Sequence, residues 1–165
     1  MTNTTTTDVL IIGAGAAGLT AALAAHEGGA KVTVIEKGGK LGGTAAISGG
    51  IVWVPDNPQM KAKGIADNRE DALAYFRSLD HGEMNTETLE AFVDQGANAL
   101  EFLNTQDALE LHILDGYPDY YLDHPGAKTD GGRALDNALF DFTTLGDWAD
   151  KIYNGGDVMR MMLIE

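Results

Sequence analysis

Gly13-Ala14-Gly15-Ala16-Ala17-Gly18 and Glu36 are residue types at a spacing that can hold phosphates and a ribose. Gly13 permits a tight turn. Gly15 lacks the Cβ that would keep a pyrophosphate away from the backbone. Gly18, with Ala22, lets a helix lie close to a strand. A helix opening at Ala16 and Ala17 turns its first N–H groups, and a partial positive charge, toward the phosphates. A carboxylate at Glu36 accepts hydrogen bonds from ribose hydroxyls and repels a 2′-phosphate, so the pattern predicts FAD or NAD rather than NADP.

The residues after Glu36 separate those two. An NAD domain would continue with a crossover to a third strand. Here Lys37 leads into GGKLGGTAAISGG, residues 38–50, a second loop dense in glycine and small hydroxyl residues. Such a loop can run along an extended cofactor, its amides reaching a second phosphate and a flavin ring. The candidate cofactor residues are therefore Gly13, Gly15, Ala16, Ala17, Gly18, Glu36, Lys37, Gly42, Gly43, Thr44, Ala45, Ser48, Gly49 and Gly50, and the cofactor they predict is FAD.

These residues need elements to position them. The apolar run 9–12 reads as a parallel strand buried on both faces, residues 16–27 as an Ala- and Leu-rich helix stopped by Gly28-Gly29, and 31–36 as a second strand. Together they predict a βαβ unit. A short helix near Thr44 and a short strand or loop at 51–55 come next. Asp67 with Glu70 resembles a capping box, opening a helix with Leu73, Phe76 and Leu79 on one side. Residues 86–104 carry Leu89, Phe92, Val93, Gly96, Ala97, Leu100 and Leu103 at helical period, and 109–113 alternate like a strand. A Pro- and Gly-punctuated loop spans 115–133. Gly146-Asp147 and the GGD at 155–157 come after no apolar strand and read as turns. The fold class is α/β: a Rossmann-like βαβ unit with an appended helical segment. The expected divisions are a disordered lead-in at 1–7, the cofactor segment at 8–55, and a helical, substrate-side segment at 56–165.

Composition narrows the function classes. A chain of 165 residues with 44 % hydrophobic residues is long enough for a real core. The net charge of −14 disfavours nucleic acid and anionic membrane surfaces as partners. With no cysteine there are no disulfides, thiolate metal sites or thiol catalysis. The start, MTNTTTTD, has neither the basic nor the apolar region of a secretory signal, and 9–12 is too short to span a bilayer. A soluble, cytoplasmic protein is expected, with no metal.

The run EK with GGTAAISGG downstream resembles the flavoproteins of the fumarate reductase and 3-oxosteroid dehydrogenase superfamily. In the succinate dehydrogenase branch, a histidine linked covalently to the flavin precedes the Thr or Ser of this loop. Gly43 stands there, before Thr44, which implies noncovalent FAD. His26, His81, His112 and His124 all lie elsewhere, and only His124, in the Gly/Pro loop, invites a test. GGIVWVPDN at 49–57 and GYPDYYLDHPGAKTDGGR at 116–133 resemble the 3-oxosteroid 1-dehydrogenases. That resemblance covers nearly all of 8–150. It implies a 1,2-desaturation in which a base takes a proton alpha to a ketone while a hydride leaves for flavin N5. It also implies that Tyr120 supports the base tyrosine by hydrogen bonding, with Tyr117 and Tyr121 as packing or rim residues. Leu122, Trp53 and Phe102 are candidate pocket residues, each more readily read as core.

In the resembling family the base tyrosine, the groups that polarise the ketone and the second FAD motif all lie later. Residues 158–164, VMRMMLI, resemble a core segment without its partner. The expectation is thus an N-terminal piece of a longer enzyme, one subunit of a split enzyme completed by a second polypeptide, or a nucleotide-binding protein without catalysis, in that order. A fumarate-reductase-like enzyme acting on a small unsaturated acid is the alternative activity. It would need arginines for carboxylates, and the chain has only Arg69, Arg77, Arg133 and Arg160.

Overall fold

The computed structural model describes residues 4–106 and 109–153. The chain divides into two compact units, Met1–Gly50 with Asp141–Glu165, and Ile51–Phe140.

The first unit contains β1 (Val9–Ile12), α1 (Ala16–Glu27) and β2 (Val32–Ile35). β1 and β2 pair in parallel, Val9 opposite Val32 through Ile12 opposite Ile35. Thr7 is already tied down, its hydroxyl donating to the Lys31 carbonyl at 2.6 Å. A 3-10 turn, Gly43–Ile47, lies in the glycine-rich loop. A second 3-10 segment, Phe142–Lys151, is broken at Gly146 (φ 52°, ψ −130°), in keeping with the turn read there. The chain then bridges Ile152 to Leu41 in parallel, with Leu41 N–H donating to Lys151 O and Tyr153 N–H to Leu41 O. The turn at 155–157, the apolar run 158–164 and Arg160 lie outside the described residues.

The expectation that β1 is buried on both faces is wrong here. Leu10 is 55 % and Ile12 82 % exposed. Among the described residues, β1 has β2 as its one strand neighbour and packs mainly on α1. An apolar run specifies a strand that could be covered twice, but not what covers it.

The second unit contains β3 (Val52–Trp53), α2 (Pro58–Lys63), α3 (Arg69–Leu79), α4 (Thr86–Asn104), β4 (Leu111–Ile113) and β5 (Ala134–Asn137). Its antiparallel sheet runs β3-β5-β4. Val54, Met60, Leu100, Ile113 and Leu135 form the core. Asparagines start all three helices: Asn57, Asn68 and Asn85 accept from Met60, Asp71 and Thr88 N–H. Asn57 is also wholly buried, its amide donating to the Val54 and Gly132 carbonyls, so one cap ties α2 to the sheet.

The capping box at Asp67 is a second correction. Asn68 caps α3, and the Asp67 carboxylate faces Arg133 instead. A charge-assisted pair with guanidinium is stronger than a cap on a neutral N–H. α3 and α4 are further joined by exposed pairs of Arg69 with Asp94 and Glu90, and of Arg77 with Glu90. Among the described residues no helix is long and apolar enough to cross a membrane.

Candidate active site

The glycine motif places its residues at the end of β1. Gly13 has φ +101°, a conformation side-chain-bearing residues rarely adopt. A Cβ on Gly18 would lie 2.0 Å from the Gly13 carbonyl oxygen, so the first turn of α1 can follow the strand this closely only with glycine there. The amides of Gly15, Ala16 and Ala17 have no acceptor among the described residues. Gly42 N–H donates to Ala14 O at 2.8 Å, and a Cβ on Gly43 would sit 3.3 Å from Gly15 Cα. The second loop is thus drawn onto the first. Its amides at Gly43, Thr44 and Ala45 are likewise without acceptors among the described residues. Ser48 braces the end of the turn: its hydroxyl donates to Ala45 O and accepts from Gly50 N–H. Lys37, Thr44, Ala45, Gly49 and Gly50 are exposed.

Glu36 has a further task that sequence reasoning missed. Its two carboxylate oxygens accept the N–H groups of Ala14 and Gly38, each at 2.8 Å. These bonds, the one from Ala14 first, hold its carboxyl below the ordinary glutamate range. The group is therefore ionised at neutral pH and pins the start of both glycine loops. A carboxylate offers about four lone-pair sites, which leaves acceptors for ribose hydroxyls.

In the second unit, Trp53, Tyr75, Phe76, Phe92, Tyr120 and Tyr121 wall a cavity of about 360 Å³, within the usual size range of small-molecule sites. Trp53 packs edge-on to Phe76 at 5.0 Å and stacks with Tyr75 at 6.1 Å. Trp53 is thus a pocket residue, while Leu122 and Phe102 do not line this cavity. Asp119 is the one charged lining residue, and its charge is already matched within the chain. It accepts Trp53 Nε1–H at 2.7 Å, Arg133 Nη1–H at 2.9 Å and Lys128 N–H at 2.8 Å. Arg133 also binds Asp67 through two nitrogens, at 2.8 and 2.7 Å, and its guanidinium lies 5.2 Å from the Trp53 ring centroid. Burial works to raise the Asp67 pKa, but the Arg133 hydrogen bond and the Asp56 N–H outweigh it, leaving the carboxyl below its ordinary range.

This network was not legible in the sequence. Asp67, Asp119 and Arg133 are far apart along the chain and fit no period. Gly131, two residues before Arg133, brings its loop so close that a Cβ would lie 2.5 Å from the Tyr117 carbonyl oxygen. Tyr120 itself is 80 % exposed, its hydroxyl 3.1 Å from that of Tyr117.

His124 meets Ser78, Nδ1 to Oγ, at 2.9 Å. Ser78 donates its single hydrogen to Tyr75 O at 2.6 Å. Toward His124 it can only accept, so Nδ1 carries the proton. The pair is a loop brace rather than a nucleophile with its base.

The family described as FAD binding domain matches residues 8–164. This chain belongs to it. The chain is 41 % identical over 152 residues to the 4-oxocyclohexanecarboxylate 2-dehydrogenase of Sinomonas cyclohexanicum, covering 92 % of this chain and 26 % of that protein. It is 37 % identical over 139 residues to a 3-oxosteroid 1-dehydrogenase of Mycobacterium tuberculosis, covering 84 % of this chain and 24 % of the relative. Among solved structures it resembles 3-ketosteroid delta1-dehydrogenase from Sterolibacterium denitrificans in complex with 1,4-androstadiene-3,17-dione, with a TM-score of 0.82 and 40 % identity, over 90 % of this chain and 26 % of that one. The chain spans about a quarter of the length of the relatives it matches.

FAD is the cofactor of this FAD-binding domain, and the first unit fits it. Amides without acceptors at 15–17 and 43–45 are donors suited to a pyrophosphate. The missing Cβ at Gly15 leaves them approachable, and an ionised Glu36 disfavours a 2′-phosphate.

Proposed function

We propose that the chain supplies the FAD cradle and part of the substrate wall of an enzyme that desaturates a neutral ring ketone of the 3-oxosteroid type. The observation that carries this reading is the aromatic cavity, whose lining residues include no cation and whose one carboxylate is held by buried Arg133. A flat apolar substrate suits such a wall, which excludes water from the reacting carbons. The names of the relatives are consistent with it, since a 3-oxo 1-dehydrogenase and a 4-oxo 2-dehydrogenase both act alpha,beta to a ring ketone.

In this reading Gly13, Gly15, Ala16, Ala17 and Gly18 hold the pyrophosphate, Glu36 the ribose, and Lys37, Gly42, Gly43, Thr44, Ala45, Ser48, Gly49 and Gly50 the stretch toward the flavin. Gly43 in place of a linking histidine keeps FAD noncovalent. Within the two units, residues 8–50 serve the cofactor and 51–140 the substrate side, so the substrate wall begins at Ile51 rather than after residue 55. FAD held there would supply the hydride acceptor. Tyr120, at the cavity rim, donates a hydrogen bond to the tyrosine that removes the alpha proton, helping a phenol act near neutrality. Absence of cysteine suits a reducing, cytoplasmic setting.

A second reading is a small ketone bearing a carboxylate, favoured by the 41 % identity to the 4-oxocyclohexanecarboxylate enzyme. Against it, Arg69, Arg77 and Arg133 are each paired with carboxylates of the chain. Anaerobic mixing of the catalytically active, flavin-loaded enzyme that contains this chain with a 3-oxosteroid or with 4-oxocyclohexanecarboxylate separates the two. Bleaching of flavin absorbance by the steroid is expected. Bleaching by the carboxylate alone favours the second reading, and reduced flavin reoxidised by fumarate favours a fumarate-reductase-like enzyme. Flavin uptake only with a second polypeptide points to a split enzyme.

A further inference from the structure

The loop at 117–121 is fastened on both sides of Tyr120. Tyr117 N–H donates to Leu114 O at 3.2 Å, and Gly131 (φ +78°) lies against the Tyr117 carbonyl where a side chain would collide. Asp119 accepts from Trp53, Arg133 and Lys128 N–H, and Tyr121 N–H donates to Tyr75 Oη at 3.2 Å. The backbone around Tyr120 is therefore fixed by the buried network, while its ring stands out at the rim. Among the described residues, the polar partner of that ring is the Tyr117 hydroxyl at 3.1 Å, with the two rings edge-on at 6.2 Å.

We propose that Tyr117 is a positioning residue for Tyr120, donating its phenolic hydrogen to the Tyr120 oxygen so that the Tyr120 O–H is aimed and left free for the reacting partner. This rests on the role proposed for Tyr120 as helper of the base. Two phenols in contact share one hydrogen between them, and the other hydrogen must point elsewhere. The assignment of Tyr117 as donor agrees with its hydroxyl being held above the ordinary phenol range, by the hydrogen bond to Tyr120 first and by burial second. Tyr117 is also the less exposed of the two rings, so its hydrogen has fewer alternatives in water. A phenol that accepts one hydrogen bond is a stronger donor of the next, because successive bonds polarise one another. Tyr117 thus acts through Tyr120 and touches no reacting atom.

The test is a double-mutant cycle in the catalytically active, flavin-loaded protein. Tyr117→Phe keeps the ring and its edge contact and removes only the hydroxyl. We expect kcat to fall roughly three- to tenfold, the size of one neutral hydrogen bond, with KM and the thermal midpoint unaltered. Tyr117→Phe combined with Tyr120→Phe should be no slower than Tyr120→Phe alone, since the first acts through the second. An unaltered kcat in Tyr117→Phe, losses that simply multiply, or a change in KM or melting without one in kcat overturns the proposal. If Tyr120→Phe itself turns over normally, the reading of the site fails and the role of Tyr117 with it. A slow Tyr120→Phe beside a normal Tyr117→Phe overturns the Tyr117 role alone.

Discussion

In the Ile51–Phe140 unit, Val54, Met60, Leu100, Ile113 and Leu135 are at most 4 % exposed, and Arg133 sits at 1 % between two aspartates. In the unit made of residues 1–50 and 141–165, Ala14 is the single buried residue among those described, while Leu10, Ile12 and Ile35 stand largely open. Both units are built of apolar elements, so hydrophobicity does not explain the contrast. Architecture does. Three antiparallel strands with helices packed around them enclose a core, whereas two parallel strands and one helix leave apolar faces uncovered. The chemistry differs in the same direction. A phosphate cradle must leave backbone amides without partners until its ligand arrives. The proposed substrate wall would need to be ordered beforehand, and a buried ion network and stacked aromatics hold those residues together.

The largest test of that contrast is a pair of substitutions. Arg133→Met leaves buried Asp119 without its cation and Asp67 with only Lys128 Nζ at 3.7 Å, and should cost about 3–5 kcal/mol, read as a lower urea midpoint. Ile12→Thr, at an 82 % exposed position, should change stability by no more than about 0.5 kcal/mol. Equal losses would erase the distinction between the units.

Hydrogen exchange probes the same contrast without mutation. Amides of β4 and β5 should exchange through global opening, and those of β1 and β2 through easier local opening. FAD should then slow exchange in β1, β2 and the glycine loops and leave β4 and β5 unchanged. Uniform protection before and after FAD would contradict this.

A smaller effect comes from pH. The Asp67 carboxyl titrates below its ordinary 3.8 in the folded chain. Its contribution is therefore fully present above that value and is lost as pH falls through the lower folded value. The stability advantage of the wild type over Asp67→Asn should shrink in that acid window. An advantage that stays constant there would show that the carboxylate charge is not what Arg133 requires.

Local signals in the sequence reached most of the first unit. The apolar run 9–12, the glycines and Glu36 place β1, α1 and β2, because strand, turn and helix there lie within one short stretch, but not the bonds by which Glu36 and Gly42 draw the two loops together. Helix α4 was equally legible from its period. Helix α2 carried a readable signal that went unused, Asn57 then Pro58, a cap and a first-turn proline. Strand β5 reads Ala-Leu-Asp-Asn, and its place between β3 and β4 depends on residues far away in the chain. The grip of Arg133 on Asp67 and Asp119 was invisible for the same reason. So was the choice of Asn68 over Asp67 as the cap, which only the position of Arg133 decides.

FAD binding to the wild type and to Glu36→Ala, read by flavin fluorescence at equilibrium, tests the cradle most directly. Removing the carboxylate deletes the proposed ribose acceptor and the anchor on the Ala14 and Gly38 amides. We expect the dissociation constant to rise at least about tenfold, the size of a hydrogen bond to a charged group. An unaltered dissociation constant would contradict the placement of FAD on this motif.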